Sequence, residues 1–279
     1  MLGADGNFGR GQRRDGGAMS RQRRAVPPGL RRGITLRMLA PNAVTAMALC
    51  FGLTGVRYGI SGDWERAVLS ILFAGVLDGL DGRIARLLRG ESRFGAELDS
   101  LSDSIAFGVA PALILYLWSL HAMPKFGWIF ALAHALSCAL RLARFNANID
   151  ADEQPHKSAG FLTGVPAPAG AGLAFVPLYL WLVTGEAFFR AWYVVAPWTA
   201  FTAFLMISNI ATYSWSALRL RKRIRLEAIA VAGLMAALLV TDPWLTLLIL
   251  CAGYIALIPF GILSYAKVRR QRQAAAGAA

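Results

Sequence analysis

The sequence predicts an all-α, polytopic membrane bundle of about eight transmembrane helices. Three observations carry that reading: 56% of the 279 residues are hydrophobic against 16% charged, the mean hydropathy is +0.49, and the apolar residues fall into long runs separated by short polar gaps. Such a chain has lipid as its solvent. The net charge of +13 would suit a nucleic-acid binder, but the basic residues lie between the apolar runs rather than on one soluble domain. Nucleic acid is therefore not an expected partner.

Residues 1–33 are expected to be a disordered, basic cytoplasmic tail, because Arg10, Arg13, Arg14, Arg21, Arg23, Arg24, Arg31 and Arg32 stand among glycines with almost nothing able to form a core. Next to a membrane helix such a tail either touches anionic lipid or marks topology. No short hydrophobic segment with a small-residue cleavage site follows it, so no signal peptide is expected. Residues 34–268 make up the expected transmembrane domain, and 269–279 a cytoplasmic C-terminal tail.

Within that domain Ile34 to Ala40 suggests an interfacial helix ended by Pro41, with a first span from Asn42 to Tyr58. Further spans are expected at Glu65 to Leu88, Phe94 to Leu120, Phe126 to Phe145, Phe161 to Thr184, Arg190 to Tyr213, Leu226 to Val240 and Pro243 to Val268. With the N-terminus in the cytoplasm, all of the 29 Lys and Arg residues except Arg57, Arg66, Lys125 and Arg190 fall on the inner side. That asymmetry is what the positive-inside rule expects. A bacterial plasma (inner) membrane is the expected setting. The cluster Arg219, Arg221, Lys222, Arg223 and Arg225 reads as topology and lipid-headgroup contact.

Chemistry concentrates in Val76 to Ala112. Asp78 and Asp81 are three apart, Asp99 and Asp103 four apart, so on two helices each pair shares a face. The polar residues from Arg89 to Arg93 suit a short hairpin connection. Asp78 and Asp103 then stand at equal depth, on the order of 12 Å from the turn. Gly82, Ala85 and Gly95 lie near the same faces, where small side chains let backbones and a ligand approach. Four converging carboxylates cannot all stay ionised without cations. Oxygen-only ligands favour hard ions such as Mg²⁺, Mn²⁺ or Ca²⁺ over zinc, and a paired-metal site suits phosphoryl or phosphatidyl transfer. The bland alternative balances Asp78 and Asp81 with Arg83 and Arg86 as a salt-bridged helix pair, but acids within a membrane are costly and usually functional.

Other chemistry is thin. Cys50, Cys138 and Cys251 are far apart in apolar runs and read as packing residues. His121, His134 and His156 are isolated, and His134, inside a span, is expected to bond a neighbouring helix. Arg141 and Arg144 stand near a span end, where snorkelling and recognition of a carboxylate or phosphate are both open readings. Pro41 to Thr45 reads locally as a helix start.

The run Asp78-x2-Asp81-Gly82-x2-Ala85-Arg86-x8-Gly95-x3-Asp99-x3-Asp103 resembles the complete signature of the CDP-alcohol phosphatidyltransferases, with all its fixed positions present. The likeness covers most of the chain from about Leu39 onward and implies a six-helix catalytic core. FGAELDSLSDSIAFGVAPA, with the later stretches ALRLARFN, FLTGVPAP and MISNIATYS, is similar to the members of that family that use serine as acceptor. The resemblance implies transfer of a phosphatidyl group from CDP-diacylglycerol to the serine hydroxyl, releasing CMP. It also implies two Mg²⁺ or Mn²⁺ ions held by Asp78, Asp81, Asp99 and Asp103, Asp103 as general base, and a homodimer. By the same likeness Gly82, Ala85, Arg86, Gly95, Asn42 and Thr45 border the CDP-diacylglycerol site, and Arg141 and Arg144 the serine site.

Rival readings differ in what they leave unexplained. A sister enzyme using glycerol 3-phosphate or an inositol phosphate would carry the same metal motif, and Gly164 to Gly170 departs slightly from the usual GLPxPAA form. A membrane prenyltransferase would place its aspartates on distant helix pairs. A membrane cation transporter would use the acids as an ion path but leaves Gly82, Ala85 and Gly95 without a role.

Overall fold

The computed structural model describes residues 36–88, 90, 92–147, 161–208, 210–213 and 225–276. The expected N-terminal tail lies outside these residues, as do Arg219, Arg221, Lys222 and Arg223. In chain order the helices are α1 (Leu36–Ile60), α2 (Trp64–Leu88), α3 (Arg93–Asp103), α4 (Ala110–Trp118), α5 (Gly127–Ala147), α6 (Ala167–Ala174), α7 (Val176–Thr184), α8 (Trp192–Ile207), α9 (Arg225–Thr241) and α10 (Pro243–Ala276). A π-helical turn, Ser104–Val109, joins α3 to α4 without a break.

Each expected span is helical over all or part of its length, with four differences. The break expected at Pro41 is absent, since α1 runs through it. Proline removes one intrahelical bond, but in lipid the neighbouring backbone groups have no partner outside the helix, so continuing costs less than stopping. The single span expected from Phe161 to Thr184 is instead a strand, β1 (Phe161–Thr163), followed by α6 and α7 bent by 41°. Gly164 at φ +74° and the prolines at 166, 168 and 177 prevent one straight helix. The span expected to end at Tyr213 stops at Ile207, and its last residues form β2 (Ala211–Tyr213), antiparallel to β1 with Phe161 opposite Tyr213. Finally, α10 continues past Val268, through much of the expected C-terminal tail, to Ala276.

Among the described residues four helices are long and apolar enough to cross a membrane, at Leu39–Ile60, Arg93–Trp118, Gly127–Ala147 and Pro243–Gly261, or five if the bent α6–α7 pair is one broken span rather than a re-entrant loop. The expected number was about eight. Helix α2 has the length but carries Asp78, Asp81, Arg83 and Arg86. Helices α8 and α9, with 16 and 17 residues, are short for a bilayer core about 30 Å thick.

The α3–α4 rod is the centre of the bundle, with Phe107, Ile114, Leu115 and Trp118 fully buried. Glycines on α1 set how closely its neighbours approach. A Cβ on Gly55 would lie 2.9 Å from the Ala67 carbonyl oxygen of α2, and one on Gly52 would lie 2.8 Å from the Cα of Ala106 in the π-turn. Such contacts let backbones pack directly. At the end of α2 far from its aspartates, Arg190 donates from Nε to the Trp118 carbonyl at 3.0 Å and stacks over both Trp64 and Trp181, while Ser119 Oγ donates to the Arg190 carbonyl at 2.6 Å.

Candidate active site

The four aspartates arrive on the two arms of a hairpin. Helix α2 ends at Leu88 and α3 begins at Arg93. Ser92 caps the second helix, its hydroxyl accepting the Gly95 N–H at 3.0 Å. Helix α2 packs chiefly along α1, and α1 also meets α3 and α4, whereas α2 and α3 have little direct backbone contact. A cleft therefore separates the arms. Side chains meet across it: one carboxylate oxygen each from Asp78, Asp99 and Asp103 lies within 4.8 Å of the others. The carboxylate oxygens of Asp78 and Asp103 lie within 4.8 Å of each other, so residues 25 positions apart in sequence stand at the same depth, as their spacing predicts.

Asp81 is placed differently. It is buried, and its Oδ2 accepts a 2.7 Å hydrogen bond from Thr45 Oγ1 on α1. The carbonyl of Thr45 in turn accepts from Ser102 Oγ of α3 at 3.1 Å. Thr45 thus ties three helices together. A carboxylate has a second oxygen, so this bond does not prevent Asp81 from also serving as a ligand. The donor set is oxygen alone and carries a concentrated negative charge, which fits a hard divalent cation.

The small residues fall into two classes. Among the described residues a Cβ on Gly79 or Gly82 would meet nothing within 4 Å, so they leave the α2 face beside the aspartates open. Arg86 bonds from Nε to the Gly82 carbonyl at 3.0 Å, which holds its guanidinium along that face, and Ala85 is half-buried beside it. Gly95 has no such room: a Cβ there would lie 2.9 Å from Asn42 Oδ1. Asn42 and Gly95 are therefore a contact between α1 and α3 at the mouth of the cleft.

The two arginines of α5 also separate. Arg141 is near enough to Asp78 and Asp103 to interact with their charges, and its buried Nε has no hydrogen-bond partner among the described residues. Arg144 donates from its terminal nitrogens to the carbonyls of Ile207 at 3.0 Å and Ser208 at 3.3 Å, closing the C-terminal end of α8. Sequence reasoning did not single out two polar links around the site. One is Ser102 on Thr45, and the other is Asn146 Nδ2 donating to Ser100 Oγ at 2.8 Å, from α5 to α3. Both serines lie between the aspartates of α3, and that position was the only sign available.

Comparison with known proteins gives the same picture. The family model for CDP-alcohol phosphatidyltransferase matches residues 38–215, and a second model, CDP-alcohol phosphatidyltransferase 2, matches 223–259. The chain is 38% identical to the CDP-diacylglycerol–serine O-phosphatidyltransferase of Mycobacterium tuberculosis, over 84% of this chain and 81% of that protein. It is 37% identical to the protein of the same name in Mycobacterium leprae, over 84% of this chain and 78% of that one. The Helicobacter pylori protein of that name is 37% identical over 51% of this chain and 58% of its own length. With its membrane-length apolar helices the chain is an integral membrane protein. By the match over most of its length, and by a hairpin that brings three of the four signature aspartates together, it belongs to the CDP-alcohol phosphatidyltransferase family.

Proposed function

We propose that this chain transfers the phosphatidyl group of CDP-diacylglycerol to the hydroxyl of L-serine, giving phosphatidylserine and CMP. The observation that carries the reading is the meeting of Asp78, Asp99 and Asp103 across a cleft whose α2 face is open at Gly79 and Gly82. The name of the mycobacterial relatives supports serine as acceptor.

In this reading the serine oxygen attacks the phosphorus that bears the diacylglycerol. A new P–O bond forms, the bridging P–O bond breaks, and CMP departs with the electron pair. Asp103 takes the hydroxyl proton. Asp78, Asp81, Asp99 and Asp103 would hold Mg²⁺ or Mn²⁺, as a pair by family resemblance, and the bound metal would supply positive charge to the pyrophosphate. Thr45 fixes Asp81, the open face at Gly82 and Ala85 receives the nucleotide, and Arg86 lies along it. Arg141 pairs with the serine carboxylate through two charge-assisted bonds. The cleft opens to the cytoplasm of a bacterial inner membrane, an orientation supported by the distribution of Lys and Arg. The working unit is a homodimer, to be checked by light scattering of the solubilised protein.

The test is CMP release by purified protein given CDP-diacylglycerol and a divalent metal, with serine, glycerol 3-phosphate and inositol phosphate compared as acceptors. Release with serine alone is the expected result. Release only with another acceptor would keep the aspartate chemistry and overturn the substrate.

A further inference from the structure

The π-turn has an identifiable cause. In a regular α-helix the carbonyl of Phe107 would accept from residue 111, but that residue is proline, which has no N–H and whose ring presses on that carbonyl. The chain answers by widening to a π-turn over Ser104–Val109, with Pro111 in the first turn of α4. His134 of α5, completely buried, places Nε2 3.3 Å from the Phe107 carbonyl oxygen. A carbonyl can only accept, so Nε2 carries the hydrogen.

The turn is gripped on three sides. A Cβ on Gly108 would lie 3.0 Å from the Cβ of Cys138, so α5 approaches at backbone distance and His134 can reach. Ala106 meets α1 at Gly52, and the Phe107 ring lies beside Gly75 of α2, one turn before Asp78. Asp103 is the residue immediately before the turn. One extra residue rotates the upstream helix by about 100° relative to the downstream one, so the turn decides where Asp103 points.

We propose that His134 is a positioning residue for Asp103: by donating to the Phe107 carbonyl opposite Pro111, it holds the π-turn that aims Asp103 at Asp78 and Asp99. This rests on reading Asp103 as a reacting group.

The test uses full-length protein carrying His134→Leu, His134→Gln, Pro111→Ala and the double variant His134→Leu/Pro111→Ala. It measures kcat, both KM values and, without substrates, Mn²⁺ affinity by electron paramagnetic resonance. His134→Leu should lower kcat and Mn²⁺ affinity about tenfold, with both KM values within about twofold, the size usual for residues that orient metal-binding groups. His134→Gln, whose amide can donate, should recover most of both losses. Pro111→Ala restores an N–H at 111, so His134→Leu should cost less in that background. Unchanged kcat and Mn²⁺ affinity in His134→Leu, equal losses in the Leu and Gln variants, or equal cost in both backgrounds would each overturn the proposal. If His134→Leu fails to fold alone, folding in the Pro111→Ala background supports it and failure in both counts against it. Asp103→Asn separates the two readings. An active Asp103→Asn removes the assumed role of Asp103, whereas an inactive one beside an unaffected His134→Leu removes this inference alone.

Discussion

Thr45 donates a 2.7 Å hydrogen bond to Asp81 across 36 residues of sequence, and both side chains are buried. Replacing Thr45 by Val leaves that carboxylate without its donor, which costs about 1–3 kcal/mol. We expect Thr45→Val to lower turnover roughly 10- to 100-fold, as for other groups that orient metal-binding carboxylates, and Thr45→Ser to stay near wild type. Steady-state CMP release decides it. Equal behaviour of the two variants would make Thr45 a packing residue.

Asp103→Asn is expected to abolish turnover while largely sparing CDP-diacylglycerol binding, and Asp78→Asn to weaken binding as well. The two carboxylates belong to one cluster, so the contrast depends on role rather than place. Equilibrium binding of the lipid nucleotide alongside the activity assay separates them. Near-normal turnover in Asp103→Asn would remove it as the base.

The two arginines of α5 should part company. Arg141→Ala is expected to raise the serine KM at least about tenfold with little change in that of the lipid, because each charge-assisted bond contributes about 1.5–3 kcal/mol. Arg144→Ala should instead lower the melting temperature, since its guanidinium holds the end of α8. Serine kinetics and thermal unfolding of both variants give a crossed comparison, and an unchanged serine KM in Arg141→Ala contradicts the assignment.

Two glycines of one motif should respond in opposite ways. Gly82→Ala adds a methyl to open space, so the protein should melt like wild type and show a raised KM for CDP-diacylglycerol. Gly95→Ala forces a methyl against Asn42 and should cost about 1–3 kcal/mol in stability. Asn42→Ala should relieve much of that cost. Without relief in the double variant, the Asn42 contact is not the reason for the glycine.

The aspartate cluster was legible in the sequence because helical periodicity is a local property and the hairpin is short. Acids at spacings of three and four, joined by a polar turn, have few other ways to meet, although Asp81 is bonded to Thr45 and lies outside the group of three. The bond between Thr45 and Asp81 was not legible, since no local rule connects positions 36 apart. Pro41 misled for the opposite reason: the rule for proline is local, while the demand for satisfied backbone groups belongs to the whole span. Hydropathy merged Phe161 to Thr184 into one span because it does not register the positive φ of Gly164. The sign of the π-turn, Pro111 inside an unbroken apolar run, was present in the sequence, but its meaning depended on His134 from another helix.

The cage of Arg190, Trp64, Trp181 and Trp118 lies at the far end of α2 from the aspartates. From Trp64 to Asp78 is about 20 Å of helix, so a tilt of roughly 5° about that end would carry the Asp78 carboxylate almost 2 Å. Exact packing at that end therefore matters to acids at the other, and the backbone contact of Gly55 with Ala67, together with the Thr45–Asp81 bond, holds α2 against such a tilt.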